Sequence, residues 1–177
     1  MTSYIQRHRV GDVAALIDRS GQLFPDVDPS TVALWILATR AGRMTEAFTR
    51  GVLAEQGIES TEFAILVVLL LSDGPRSTTM SDLAKVVVLS QPGVTRALQR
   101  SERNGNIRRR PDPADGRAIV IELTEAGRSV VEKTMQILFD LFKERLGTRF
   151  STVQALTVAS ASAQYCVALD DFDEAAP

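Results

Sequence analysis

The chain has 177 residues, of which 45% are hydrophobic, so it is long enough to bury a core as one domain with extensions. Its single cysteine excludes an intramolecular disulfide, and its single histidine leaves no metal cluster and no nucleophile–base pair, so we predict no cofactor and no enzymatic activity. The formal net charge is −2. With no signal-peptide core and no apolar run near the ~20 residues of a membrane span, the sequence predicts a cytoplasmic protein.

Two helices are predicted before residue 57. The first is short and covers Val10 to Arg19. Asp28 and Pro29 then supply an N-cap and a first helical position for a second helix that runs to about Gln56. At 1.5 Å per residue this helix is roughly 40 Å long, so it needs a partner along most of its length, which a second subunit would supply.

The next helix is predicted to be buried, because it is apolar nearly all round. It runs from Ser60 to Ser72 and includes an unbroken apolar segment from Phe63 to Leu71. A buried strand is the alternative, but the length of the segment and its start at Ser60 and Glu62 favour a helix. The turn residues Asp73 to Pro75 end it.

Two short helices follow in the order of a helix-turn-helix. Ser81 is predicted to cap the first, Asp82 to Val87, and Ser90 the second, with Pro92 in its first turn. The second helix ends at Asn104–Gly105, which readily adopt a left-handed C-cap. Its apolar residues are Val94, Ala97 and Leu98.

A hairpin and two further helices complete the chain. The strands are Ile107 to Arg110 and Ala118 to Leu123, joined by a Pro- and Asp-rich turn. Thr124 caps a helix of about twenty residues that ends at Gly147, and a last helix opens with the capping box Ser151 to Gln154. The predicted fold is mainly α with a small β-hairpin. It consists of a winged helix-turn-helix lobe at 57–123, flanked by dimerisation helices at 1–56 and 124–177.

Basic residues are concentrated on the predicted helix-turn-helix and hairpin. Between Arg76 and Arg117 there are nine lysines and arginines and four acids, so this segment carries +5 in a chain of net charge −2. A basic module in an acidic frame concentrates positive potential on one face. A solvated charged loop is the alternative, and the position of the bases on these elements disfavours it.

These side chains have the chemistry needed to bind DNA. The start of the second helix of such a motif faces base edges, where arginine bonds guanine, glutamine bonds adenine and a threonine methyl contacts thymine. Hairpin arginines reach phosphate or the minor groove, and Asp115 is predicted to orient an arginine across the hairpin. The alternative is that these are ordinary surface residues. The predicted DNA-binding residues are Ser90, Gln91, Thr95, Arg96, Gln99, Arg100, Arg103, Arg108, Arg110, Asp115 and Arg117.

Several motifs resemble the MarR family of bacterial transcription regulators. They are Gly57–Leu66, Ser81–Ala84, Ser90–Arg96, and the hairpin tip Asp112–Arg117 followed by Leu123–Gly127. The sequence departs from the family pattern at Ser101 and Asn106, which replace apolar residues. This predicts looser packing at the base of the hairpin. Val88 stands in the motif turn, where a β-branched residue tolerates positive φ poorly.

The resemblance implies a triangular homodimer, held by its N- and C-terminal helices, that reads the half-sites of palindromic double-stranded operator DNA. It further implies a repressor released by a small phenolic or aromatic carboxylate ligand. Effector-independent DNA binding and a winged helix used for protein contact are the alternatives.

Candidate ligand-binding residues are weaker predictions than the DNA contacts. Arg43 is the expected carboxylate partner, although aromatic residues at helical spacing are more often core. Cys166 is expected at the dimer contact and His8 at the surface. The full candidate set is Trp35, Arg43, Phe48 and Phe63.

Overall fold

The computed structural model describes residues 11–72, 76–88 and 90–174. His8 and the predicted turn at Asp73–Pro75 lie outside these ranges. The elements within them, in chain order, are α1 Gly11–Leu23, α2 Pro29–Glu55, α3 Ser60–Leu70, β1 Arg76–Thr78, α4 Met80–Val86, α5 Gln91–Arg103, β2 Ile107–Pro111, β3 Ile119–Leu123, α6 Glu125–Leu146 and α7 Thr152–Glu174. None of the described helices is long and apolar enough to cross a membrane.

The chain divides into two compact units. One comprises the chain up to Phe48 together with the chain from Thr152, and the other is Thr49–Ser151. In the first unit α1 packs on α2 through a small apolar cluster of Val13, Ala14, Ile17 and Ala33. The side chains of α7, in contrast, are almost all exposed up to Asp170.

The second unit has α3 at its centre, as its apolar sequence predicts. Ile65 and Leu66 are fully buried, and helices α5 and α6 pack against α3. The apolar face of α5 contributes Val94, Ala97 and Leu98 to this core, as expected. One stripe of each surrounding helix is therefore buried, which leaves its opposite face available for contacts outside the chain.

A three-stranded antiparallel sheet forms the wing of the second unit. Its order is β1-β3-β2, with Arg109 opposite Ile121 in one ladder and Arg76 opposite Ile121 in the other. The hairpin of β2 and β3 confirms the two predicted strands, while β1 was not predicted.

Of the N-caps predicted for α4, α5 and α6, two are confirmed and one is wrong. Ser90 caps α5 by accepting from the Gly93 backbone N–H at 3.3 Å, and Thr124 caps α6 by accepting from that of Gly127 at 2.9 Å. The prediction that Ser81 caps the helix before the turn is wrong. Thr79 is the cap, because it accepts from the Asp82 backbone N–H at 3.1 Å and donates its hydroxyl to the Asp82 carboxylate at 2.6 Å.

Candidate nucleic-acid interface

The second helix of the motif, α5, presents a polar face opposite its buried stripe. Gln91, Arg96, Gln99 and Arg103 are exposed on it, and Thr95 is half-buried. The Thr95 hydroxyl donates to the Gln91 carbonyl at 3.0 Å, which leaves its methyl group as the outward contact. Amide, guanidinium and methyl groups on a capped helix are the set that reads base edges in the major groove.

Arg100, also predicted to contact DNA, has a partner within the chain. Its guanidinium forms an ion pair with the carboxylate of Glu59, the residue that precedes α3. The pair joins the middle of α5 to the start of α3. A DNA contact by Arg100 therefore requires its guanidinium to be shared with this carboxylate.

The wing tip is held by backbone hydrogen bonds to two aspartates. Asp112 Oδ1 accepts from the backbone N–H groups of Ala114 at 2.7 Å and Asp115 at 3.3 Å. Asp115 Oδ1 accepts from the Arg117 backbone N–H at 2.9 Å, a main-chain contact where the sequence predicted an arginine side chain. Asp115 thus fixes the backbone from which the exposed Arg117 side chain extends. Arg108 and Arg110 are exposed on β2.

The wing is tied to α5 by an ion pair that sequence reasoning missed. Arg109 donates its Nε–H to Glu102 Oε2 at 2.8 Å, and its terminal nitrogen pairs with the same oxygen. This hydrogen bond lowers the pKa of Glu102 from its ordinary value. The alternation of the three arginines along β2 was the available signal, because it turns Arg109 to the side opposite Arg108 and Arg110.

Ser101 and Asn106, the two departures from the family pattern, are both buried at the root of the wing. The looser packing predicted from them stays a prediction. The Asn106 side chain donates a hydrogen bond to Glu62, which the sequence marked only as part of the helix start and which is buried in α3.

A cleft between α1 and α2 in the first unit contains two of the four candidate ligand-binding residues. Its volume is about 600 Å³, and Trp35 and Arg43 line it together with Arg40. Phe48 and Phe63 are not among its lining residues. Phe63 packs against the core of the second unit. Cys166, expected at a subunit contact, is exposed in the single chain.

The fold and the exposed polar face of α5 define a winged helix-turn-helix protein. Residues 56–118 match the model of the MarR family. No group of three or more His, Cys, Asp or Glu side chains in the described part of the chain could hold a metal ion.

Curated relatives and solved structures are similar to parts of this chain. An uncharacterized HTH-type transcriptional regulator of Bacillus subtilis, YkoM, is 34% identical over 83 residues, which are 47% of this chain and 52% of YkoM. The chain thus spans about half the length of the curated relatives it matches. The MarR family regulator AbsC of Streptomyces coelicolor has a similar fold, with a TM-score of 0.70 at 20% identity over 82% of this chain and 97% of AbsC. Sco3205 of the same organism, solved in complex with DNA, gives 0.68 at 23% identity over 79% of this chain and 88% of Sco3205.

Proposed function

We propose that the protein is a dimeric, sequence-specific DNA-binding transcriptional regulator. In this proposal α5 enters the major groove of each half-site, and the wing lies on the adjacent backbone or minor groove. The relatives named above are transcriptional regulators, and the DNA complex of Sco3205 supports the same use of this fold.

One observation carries the proposal. The polar face of α5 and the arginine-bearing wing are joined by the Glu102–Arg109 pair, so the groups proposed to read bases and those proposed to contact phosphate lie on one surface. A winged helix used for protein contact would not require that concentration of arginine. Phosphate contacts fix register while base contacts supply sequence information, and this surface offers both.

A mobility-shift assay on the promoter-containing DNA that flanks the gene tests the proposal. It is run at two salt concentrations with random DNA of equal length as competitor. Binding that survives the competitor and weakens steeply with salt is the expected result, because lysines and arginines displace counterions from phosphate. Binding that random DNA abolishes would favour the protein-contact alternative, to be pursued by affinity capture of a partner.

We further propose that the regulator is a repressor released by a small aromatic carboxylate. The α1–α2 cleft supports this, because Trp35 is 61% exposed and two arginines line the same space. An indole face and a guanidinium together suit an aromatic ring bearing one negative charge.

Trp35 also gives this ligand proposal its test, because it is the single tryptophan of the chain. Titration with benzoate or 4-hydroxybenzoate should quench its fluorescence and release operator DNA in the same concentration range. Arg43→Gln should weaken both effects, whereas Arg50→Gln, further along α2 and outside the cleft lining, should leave them unchanged. Quenching without DNA release would support effector-independent DNA binding. A promoter–reporter assay with and without the protein separates repression from activation.

A further inference from the structure

A buried carboxyl group lies where α3, the end of α5 and the root of the wing meet. Glu62, in the first turn of α3, is 0% exposed. Its Oε1 accepts hydrogen bonds from the side-chain amides of Asn104 at 3.3 Å and Asn106 at 3.1 Å. We call these three residues the Glu62 latch. It joins positions 42 and 44 residues apart in the chain.

The backbone of Asn106 extends this latch to two other elements. Its N–H donates to the carbonyl of Ser101, in the last turn of α5, at 2.8 Å. Its carbonyl accepts from the backbone N–H of Thr124 at 3.1 Å and from the Thr124 hydroxyl at 3.2 Å, at the start of α6. A movement of Asn106 would therefore displace α5, α6 and the first residue of β2 together.

Stability alone does not account for a carboxyl group at this position. Burial of a carboxylate is costly, and the two amide donors offset that cost only in part, since Glu62 Oε2 and the Ser101 hydroxyl are buried without a hydrogen-bond partner in the described structure. An apolar side chain of similar volume would avoid the cost. Directional hydrogen bonds, however, fix a relative orientation that apolar contacts allow to slide.

We propose that Glu62 is a positioning residue for DNA recognition. It holds the end of the recognition helix α5 and the root of the wing in one relative orientation without touching DNA. This inference rests on the proposed DNA-binding function. Side chains that bond base edges must be placed to within about half an ångström, whereas long arginine side chains that contact phosphates tolerate larger displacements. Loss of the latch should therefore lower sequence discrimination more than it lowers affinity for DNA in general.

Two substitutions at Glu62 test the proposal. Glu62→Met keeps the length of the side chain and removes the acceptor, while Glu62→Gln keeps one oxygen for the two asparagines. The readout is the ratio of dissociation constants for random and operator DNA, measured well below each melting temperature. Glu62→Met should lower this ratio about tenfold, equivalent to about 1.4 kcal/mol, and change random-DNA affinity less than about twofold. Glu62→Gln should retain the wild-type ratio.

Val131→Ala is the matched control, because Val131 is a fully buried core residue of α6 outside the latch. A smaller folded fraction weakens both DNA affinities equally, so a purely structural defect leaves the ratio unchanged. If the Glu62→Met variant does not fold, the Asn104→Ala variant is tested in its place. The Asn104 side chain is exposed and supplies one of the two bonds, so its loss should lower the ratio about threefold.

The outcomes separate this proposal from the one on which it rests. An unchanged ratio in a folded Glu62→Met or in its Asn104→Ala replacement, or an equal fall in Val131→Ala, overturns the positioning role alone. Wild-type protein that does not distinguish operator from random DNA overturns both proposals.

Discussion

At the scale of single residues, the arginines of the proposed interface fall into two kinds. Arg117 extends from a wing tip held by Asp115, whereas Arg96 lies on the exposed face of α5. Arg117→Ala should weaken binding to all sequences alike and reduce the salt slope by about 2, since each subunit of the proposed dimer loses one phosphate contact. Arg96→Ala should instead lower discrimination by about 1–3 kcal/mol per half-site, the usual worth of a base contact.

Fluorescence anisotropy with operator and random DNA over a salt series measures both effects. Lys133→Ala is the control, because it removes the same charge from the exposed side of α6. Unchanged affinity in Arg117→Ala would exclude the wing tip from the interface.

Val88 is a second residue at which we predict the effect of a substitution on stability. Its φ is 52°, a left-handed conformation that valine adopts at a cost of about 1–2 kcal/mol, and its side chain is 87% exposed. Val88→Asn should raise the free energy of unfolding by about 1 kcal/mol, because asparagine tolerates this region. Urea denaturation measures the gain. Val86→Asn, at an exposed valine within α4, should give no gain, and a similar gain there would contradict the explanation from strain.

At the scale of secondary-structure elements, the Glu102–Arg109 pair makes the contact between α5 and the wing sensitive to pH. The pKa of Glu102 is lowered in the folded state from its ordinary value of 4.5. The stabilisation is therefore fully present above pH 4.5 and is lost as the pH falls through the lower folded pKa. Glu102→Gln should cost about 0.2–1 kcal/mol at pH 7, as expected of an exposed pair. Chemical denaturation at a series of pH values should show this difference shrinking below pH 4.5, and a difference independent of pH would contradict the assignment.

The contact between α6 and the wing root depends on the absence of a side chain at Gly127. A Cβ there would lie 1.9 Å from the carbonyl oxygen of Asn106, which is backbone and cannot turn aside. Gly127→Ala should lower the free energy of unfolding by at least about 1–3 kcal/mol, because α6 must shift away from the wing. Thermal unfolding measures the loss. In the same experiment Gly51→Ala should be neutral or stabilising, because Gly51 lies in α2 of the same unit and no atom is within 4 Å of the new Cβ. Equal losses in both variants would mean that the close approach is unimportant.

The same elements show how far the sequence predicts the structure. Periodicity and local caps predicted the helices of the second unit, because these signals lie within a few residues of each other. The cap at Thr79 was missed although its partner Asp82 is local, since Ser81 offered a competing cap. Strand β1 was missed because three residues show no alternation, and its partner β3 is more than forty positions away.

In the candidate interface, too, features set by nearby residues were predicted and those set by distant residues were not. The exposed faces of α5 and the wing could be predicted from spacing alone. The partners of Arg100 and Arg109 could not, because Glu59 and Glu102 reach them only in the folded chain. Glu62 was hidden for the same reason, since an isolated glutamate at a helix start is ordinarily a surface residue.

At the scale of the whole molecule, α7 bears an apolar surface that the single chain leaves uncovered. From Phe150 to Leu169 there is no charged residue. Large apolar side chains are exposed along the helix, among them Val153, Leu156, Val158, Val167 and Leu169. An apolar surface of this extent is typical of a subunit contact, and the proposed homodimer is the assembly that would cover it.

A single charge on α7 should therefore separate the subunits. Leu156, 65% exposed, can be changed to Asp without disturbing the core of the single chain, but in the dimer the carboxylate would be buried without a partner. We expect Leu156→Asp to sediment as a monomer and to bind a two-half-site operator at least about tenfold more weakly, while its affinity for one half-site is kept. Leu71→Asp, the same change at a 72% exposed leucine in the second unit, should leave the assembly intact. If Leu156→Asp remains a dimer with full operator affinity, the subunits meet through some other surface, and the uncharged face of α7 has another partner.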